Sequence, residues 1–198
     1  MLSIKQKRIK RCVDLLLSSI GIVIFTVPIF TLVIISTIVH QEFGVFFQKR
    51  VGKNAKVFTI YKIKSMIFKK EPLITSFGNF IRKTKLDELL QVFNVFFGQM
   101  SIVGPRPDIL GYADKLKGED KIILSVKPGL TSLAALKFAN EELFLKSQNN
   151  PLVYNDLVLW PQKVALNKQY ITNWSLFNDF KVIGKTILFF LGFNQTPH

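Results

Sequence analysis

The chain has 198 residues, room for one ordinary domain with a short appendage, and its 27 Lys and Arg against 13 Asp and Glu leave a formal charge of +14. An excess of that size calls for an anionic partner: nucleic acid, lipid headgroups or a phosphorylated substrate. The lone Cys12 excludes an internal disulfide framework and a cysteine-based metal cluster, and fits a reducing compartment.

Hydrophobic residues make up 48% of the chain, and residues 13–39 concentrate them in one run whose only formal charge is Asp14. As a helix this run is about 40 Å long, against a hydrocarbon core of about 30 Å. It exceeds the apolar region of a signal peptide and lacks a small-residue cleavage site. Pro28 sits at its middle, where a missing N–H and a ring clash bend or break a helix. Lys5, Lys7, Arg8, Lys10 and Arg11 precede the run, and Lys49, Arg50, Lys53 and Lys56 follow it, so the positive-inside bias marks both flanks as cytoplasmic. A re-entrant helix-break-helix over 1–43, kinked at Pro28, satisfies both flanks. A straight span would leave one basic cluster outside.

Residues 44–66 alternate as two short strands around a VGKN turn, which predicts a β-hairpin. Residues 67–80 have no clear period and suggest a loop with a short helix. A helix is expected from Thr84: Thr84 and Asp87 match a capping box, Leu86, Leu89, Leu90 and Phe93 make an apolar face, and Gly98 supplies the stop. SIVGPRPD at 101–108 reads as a rigid loop and KPGLTS at 127–132 as a turn. Residues 109–124 are predicted helical, as are 141–172 with a break around Asn149, Asn150 and Pro151. The stretch 174–193 is an amphipathic helix that either lies on a bilayer surface or packs in the domain core. The whole is α+β: a helix-rich cytoplasmic domain over 44–198 with a small β-hairpin, behind the N-terminal membrane helix.

Adjacent Asp87 and Glu88 are the most suggestive acidic pair in this basic chain. Near a helix N-terminus both can reach a metal ion or a phosphate beyond its end, and an ionised Asp there can attack phosphorus. They can equally be a capping residue and a surface ion-pair partner. Lys49, Arg50, Lys62, Lys64, Arg82 and Arg106 are candidate phosphate ligands. Arg106 stands out, because Pro105 and Pro107 fix its backbone and its planar fork matches phosphate oxygens. His40 and His198 sit at the membrane edge and the chain end, poor places for catalysis. No nucleic-acid-binding signature is present, and nucleic acid is not expected as a partner.

Taken together, QKRVGKNAKVFTIYKIKSM at 48–66, LDELLQVFNVFFGQMSIVGPRP at 86–107, KPGLTS at 127–132 and NWSLFNDFKVIGKTI at 173–187, behind a basic start and an apolar run holding Pro28, resemble the bacterial sugar transferase family, the monotopic polyprenyl-phosphate phosphoglycosyl transferases. The resemblance implies a ping-pong reaction on the cytoplasmic face of the bacterial plasma membrane. Asp87 would take the phosphosugar from a UDP-sugar, release UMP and pass the group to polyprenyl phosphate. It makes Glu88 the partner of Asp87, either positioning Mg²⁺ or handling the lipid phosphate's proton, the pair the Mg²⁺ ligands, Arg82 and Arg106 phosphate ligands, and Lys62 and Lys64 weaker ones. Membrane lipid is the implied surroundings, and a homo-oligomer is compatible with it. LKFANEE at 136–142 departs from the family's pattern, so no substrate role passes to that stretch. The reading from a different class is an inactive membrane-bound adaptor that binds anionic lipid or a partner enzyme.

Overall fold

A capping box opens the first helix: Gln6 N–H donates to Ser3 Oγ and Ser3 N–H to Gln6 Oε1. The structure, a computed structural model, describes residues 2–68 and 72–193, and helix α1 spans Ile4–His40. By length and composition α1 can cross a membrane. Its polarity is inverted relative to a soluble helix. Lys10, Asp14, Ser18, Ser36 and His40 are buried against the rest of the protein, whereas Leu16, Val23, Ile24, Val27, Phe30 and Ile38 are exposed. The buried residues recur at helical spacing, so one face is gripped along the whole length. On that face Lys10 pairs with Asp179 at 2.6 Å, Asp14 accepts from Ser101 Oγ and Ile102 N–H, and Ser36 Oγ donates to the Lys64 carbonyl.

The break expected at Pro28 is not a gap in secondary structure, because Pro28 lies inside α1. A proline forfeits one backbone hydrogen bond, and here the residues gripped on both sides of it offset that loss.

Strands β1 (Val45–Val51) and β2 (Val57–Ile63) form the expected antiparallel hairpin, with Val45 opposite Ile63 and Val51 opposite Val57. Its turn places Asn54 and Ala55 at positive φ. Within 67–80 the expected short helix is α2 (Ser76–Lys83), capped by Thr75, but the expected loop before it contains strands, β3 (Met66–Phe68) pairing with β4 (Pro72–Ile74).

The expected helix start at Thr84 is corrected. Thr84 lies at the C-terminal end of α2, where its hydroxyl donates to the Phe80 carbonyl, and Lys85 at φ 56° reverses the chain. A single 3₁₀ turn, Leu86–Glu88, leads into the short α3 (Gln91–Phe96). The helix expected at 109–124 is also absent. Gly111 and Gly118, at φ 104° and 57°, interrupt it, leaving the 3₁₀ turns Ala113–Lys115 and Gly118–Ser125. The expected turn at 127–132 contains β6 (Gly129–Thr131), paired in parallel with β5 (Ser101–Val103).

The C-terminal third is helical, as its periodicity suggests: α4 (Leu133–Lys137), α5 (Glu141–Lys146), α6 (Pro151–Tyr154), a π turn over Asn155–Leu159, α7 (Trp160–Thr172) and α8 (Leu176–Phe190). Asn149 and Asn150 fall between α5 and α6, as expected. Helix α8 packs in the domain through one face and leaves its other face exposed. Val182 and Asp179 face the core, while Phe177, Phe180, Ile187 and Phe190 are exposed.

Two apolar clusters hold the body together. One joins α1, β2, α2 and α3 through Ile29, Ile63, Ile81, Leu90 and Val92. The other joins β5, α7 and α8 through Val103, Val164, Ile171 and Val182. A fully buried side chain such as Ile81 contributes about 1.5–3 kcal/mol.

Candidate active site

Asn94 sets the spacing from which the site is built. Fully buried on α3, it donates to the Thr59 carbonyl at 2.7 Å and accepts from Tyr61 N–H at 3.2 Å. It thereby completes the free edge of β2 and fixes that strand against the start of α3. Lys62, next along β2, then reaches Glu88 at 3.2 Å. The reversal at Lys85 points the 3₁₀ turn inward, so Asp87 and Glu88 are both buried.

Arg106 comes from the loop after β5 and donates from Nη2 to Glu88 Oε1 at 2.6 Å. The same oxygen receives Lys62, so one carboxylate oxygen joins two cations from distant segments. Arg50, at the end of β1, holds the loop through Nη1 on the Pro107 carbonyl, and Val51 N–H donates to the Asp108 carbonyl.

The two adjacent carboxylates are driven apart electrostatically. Burial alone would raise Glu88, but the charges of Arg106 and Lys62 outweigh it and pull the group from 4.5 down to about 2. Glu88 is therefore ionised at neutral pH. Its stabilising contribution is complete above its ordinary value and is lost as pH falls through about 2.

Asp87 is raised, first by burial and then by the Glu88 charge, with Lys62, Lys85 and Arg82 opposing. Its Oδ1 is buried and has no hydrogen-bond partner. A buried acceptor left open in this way is costly and marks a place where a ligand atom completes the set. Opposite displacement of neighbouring acids is the usual sign that they do different work.

A consequence is measurable. Protonation of Asp87 begins above the ordinary aspartate value of 3.8, so the acid limb of any activity that needs its ionised carboxylate is expected above that value. A limb at or below 3.8 contradicts the raised group.

Of the residues singled out from the sequence, Asp87, Glu88, Lys62 and Arg106 come together, and Arg82 is close enough to act on Asp87, its guanidinium also meeting Met66 Sδ at 3.7 Å. Lys64 does not join them through its ion pair. Strand β2 ends at Ile63, and Lys64 pairs instead with Glu42 just beyond α1. His40 is a structural residue, with Nδ1 at 2.7 Å from the Ser36 carbonyl and Nε2 at 3.2 Å from Thr75 Oγ1. His198 lies outside the described residues.

Asp108 was not foreseen. Half-buried two residues after Arg106, it is pushed up to about 6 by burial against the pull of Lys163, Arg50 and Arg106. Its position directly after the Pro-Arg-Pro run was the available signal.

No group of three or more His, Cys, Asp or Glu residues suited to a metal occurs among the described residues. Mg²⁺ rarely needs one, because it commonly sits on one or two carboxylates together with substrate phosphates. The open Oδ1 of Asp87 beside Glu88 fits that mode. A pocket of about 370 Å³ lined by Leu116, Trp160, Val164 and Lys168 shares no residue with the dyad cluster. A small cleft lined by Val51, Gly52, Pro105, Arg106 and Asp108 adjoins it.

The chain is similar to known proteins. Galactosyl transferase CpsE of Streptococcus agalactiae is 35% identical over 73% of this chain and 34% of its own length. UDP-glucose:undecaprenyl-phosphate glucose-1-phosphate transferase of Klebsiella pneumoniae is 33% identical over 93% and 40%. The uncharacterized sugar transferase EpsL of Bacillus subtilis is 31% identical over 89% and 83%. The chain thus spans well under half of the first two and most of the third. The bacterial sugar transferase model matches residues 5–192, a stretch that takes in α1, the carboxylate dyad, the Arg106 loop and α8, and the chain belongs to that family.

Proposed function

We propose that the protein transfers a sugar phosphate from a UDP-sugar to polyprenyl phosphate, with Asp87 as covalent nucleophile. The observation that carries this reading is the buried, unpartnered Oδ1 of Asp87 beside a carboxylate that two cations hold ionised. An Asp87 oxygen attacks the β-phosphorus of the donor, the bond to the bridging oxygen breaks, and UMP leaves with that electron pair. An oxygen of polyprenyl phosphate then attacks the same phosphorus, releasing the Asp87 carboxylate and forming polyprenyl diphosphosugar.

Glu88 acts as a fixed anion. It keeps Arg106 and Lys62 beside Asp87, where their remaining donors meet diphosphate oxygens and offset charge as the leaving group departs. Arg82 adds to the same field. Asp87 and Glu88 would hold Mg²⁺ together with the diphosphate, and the ion, when bound, neutralises phosphate charge. The names of the Klebsiella and Streptococcus relatives support this class of donor and acceptor. A panel of UDP-sugars offered with undecaprenyl phosphate and Mg²⁺ tests it by UMP release. Release from at least one donor is expected, and silence across the panel favours the adaptor reading.

Residues 1–43 act as the membrane part and 44–198 as the cytoplasmic part, on the inner face of the plasma membrane. The polar face of α1 meets the same body before and after Pro28, while its apolar face is exposed throughout. That arrangement supports re-entry rather than a span. In a Cys12→Ser background, single cysteines at positions 3 and 53 are expected to label from the same side of the membrane. Opposite sides would establish a span.

A further inference from the structure

We propose a second anionic site, separate from the dyad, in which Arg11 and Lys127 with Lys53 bind the phosphate of an acidic phospholipid headgroup. Gly98 follows α3 at φ 80°, and a Cβ there would lie 3.2 Å from both Arg11 Nη2 and Lys127 Nζ. Two cations therefore converge on one glycine, with no anion between them. Arg11 is anchored from the other side, donating from Nη1 to the Val95 carbonyl and from Nη2 to the Phe96 carbonyl at 2.7 Å each.

Lys127 has no hydrogen bond or ion pair among the described residues. Burial and the charges of Arg11 and Lys53 pull it below the ordinary lysine value, with Asp14 opposing. The nearby carboxylates are already engaged: Asp14 by Ser101 and Ile102, and Asp179 by Lys10, Tyr170 and Trp174. Like charges held together in a half-buried crevice are relieved by a shared anion, as a phosphate provides.

The surroundings favour a lipid source for that phosphate. Phe96 and Phe97, packed edge to face and exposed at 37% and 66%, immediately precede Gly98. Leu15 and Leu16, about one turn after Arg11, are exposed on α1 and lead into its exposed apolar stretch. Cations at the base of projecting aromatics beside an apolar face match the headgroup level of a bilayer.

Native mass spectrometry of the full chain in neutral detergent, titrated with phosphatidylglycerol or phosphatidylcholine, tests this. Phosphatidylglycerol should bind more tightly. Lys127→Gln should weaken it about five-fold, and the double variant with Lys53→Gln further. Lys127→Arg should retain the preference, and Lys115→Gln, which removes an exposed charge that does not act on Lys127, should leave it unchanged. Millimolar inorganic phosphate should not displace the lipid. Equal affinity for the two lipids, an unaltered affinity in Lys127→Gln, or displacement by inorganic phosphate overturns the proposal. The dyad plays no part in the assay, so its result is independent of the transfer reaction.

Discussion

Replacing Asp87 by Asn is expected to lower UMP release by about three orders of magnitude or more, with the fold intact, as loss of a covalent nucleophile does in other enzymes. The amide keeps the shape of the side chain but gives up the anionic oxygen proposed to form the bond to phosphorus. It also removes a buried carboxyl that burial and Glu88 both disfavour in its charged form, so the thermal midpoint should hold or rise. Activity lost while stability is kept is the pattern of a functional carboxylate. A merely structural Asp87 would show the reverse.

Glu88→Gln makes a useful contrast. It removes the anion shared by Arg106 and Lys62, leaving two cations facing each other in a buried place. Breaking a buried pair on one side costs roughly 3–5 kcal/mol, less here because the Arg106 side chain is 46% exposed.

The second large effect belongs to Gly129→Ala, a residue that touches no substrate. Gly104, just after β5, and Gly129, at the start of β6, approach so closely that a Cβ at Gly129 would lie 2.1 Å from the backbone nitrogen of Gly104 and 2.4 Å from its oxygen. Gly129 N–H also donates to the Pro105 carbonyl at 2.7 Å, and Gly104 N–H to the Thr131 carbonyl at 3.0 Å. Backbone cannot swing aside as a side chain does, so the strands must separate, at a cost of about 3 kcal/mol, the upper end of ordinary overpacking. The loop that moves carries Arg106. Gly129→Ala should therefore lose both stability in denaturant unfolding and transfer activity, even where enough protein folds to assay.

Gly184→Ala is the matching control. A Cβ there meets nothing within 4 Å, and alanine in the interior of α8 should stabilise by about 0.5–1 kcal/mol with activity kept. Equal tolerance at positions 129 and 184 would show that the close approach of Gly129 to Gly104 does not hold the Arg106 loop.

Features with a local cause were readable from the chain. The β1–β2 hairpin follows from alternation around a short turn, and the interruption between α5 and α6 follows from Asn149, Asn150 and Pro151. Composition alone located α1. Its inverted polarity was half visible, since Lys10, Asp14, Ser18, Ser36 and His40 recur at helical spacing through an apolar segment.

Features set by distant contacts were not readable. The parallel pairing of β5 with β6 joins segments far apart in the chain and leaves no periodic trace. Thr84 carries the residue pattern of a helix start yet sits at a helix end, because Lys85 takes a left-handed conformation that a capping pattern does not register. Residues 109–124 have helix-like spacing, and two glycines at positive φ override it.

At the site, Asp87, Glu88 and Arg106 were identified through the motifs that surround them, whereas alternation put Lys64 with Lys62. The strand ends between those two lysines, and Lys64 makes an ion pair with Glu42. Asn94 is the opposite case. It is the one polar residue between Val92 and Phe97 and could have been noticed there, and it proves to be the link that fixes β2 against α3.

The most direct test is to trap the first half-reaction. The purified protein, mixed with Mg²⁺ and a UDP-sugar that supports turnover, but without polyprenyl phosphate, should gain the mass of one phosphosugar as UMP is released. Peptide mapping should place the added mass on Asp87, and adding polyprenyl phosphate should discharge it. Product formation on the full reaction with no adduct at that side chain, or an adduct that survives in Asp87→Asn, would contradict the account.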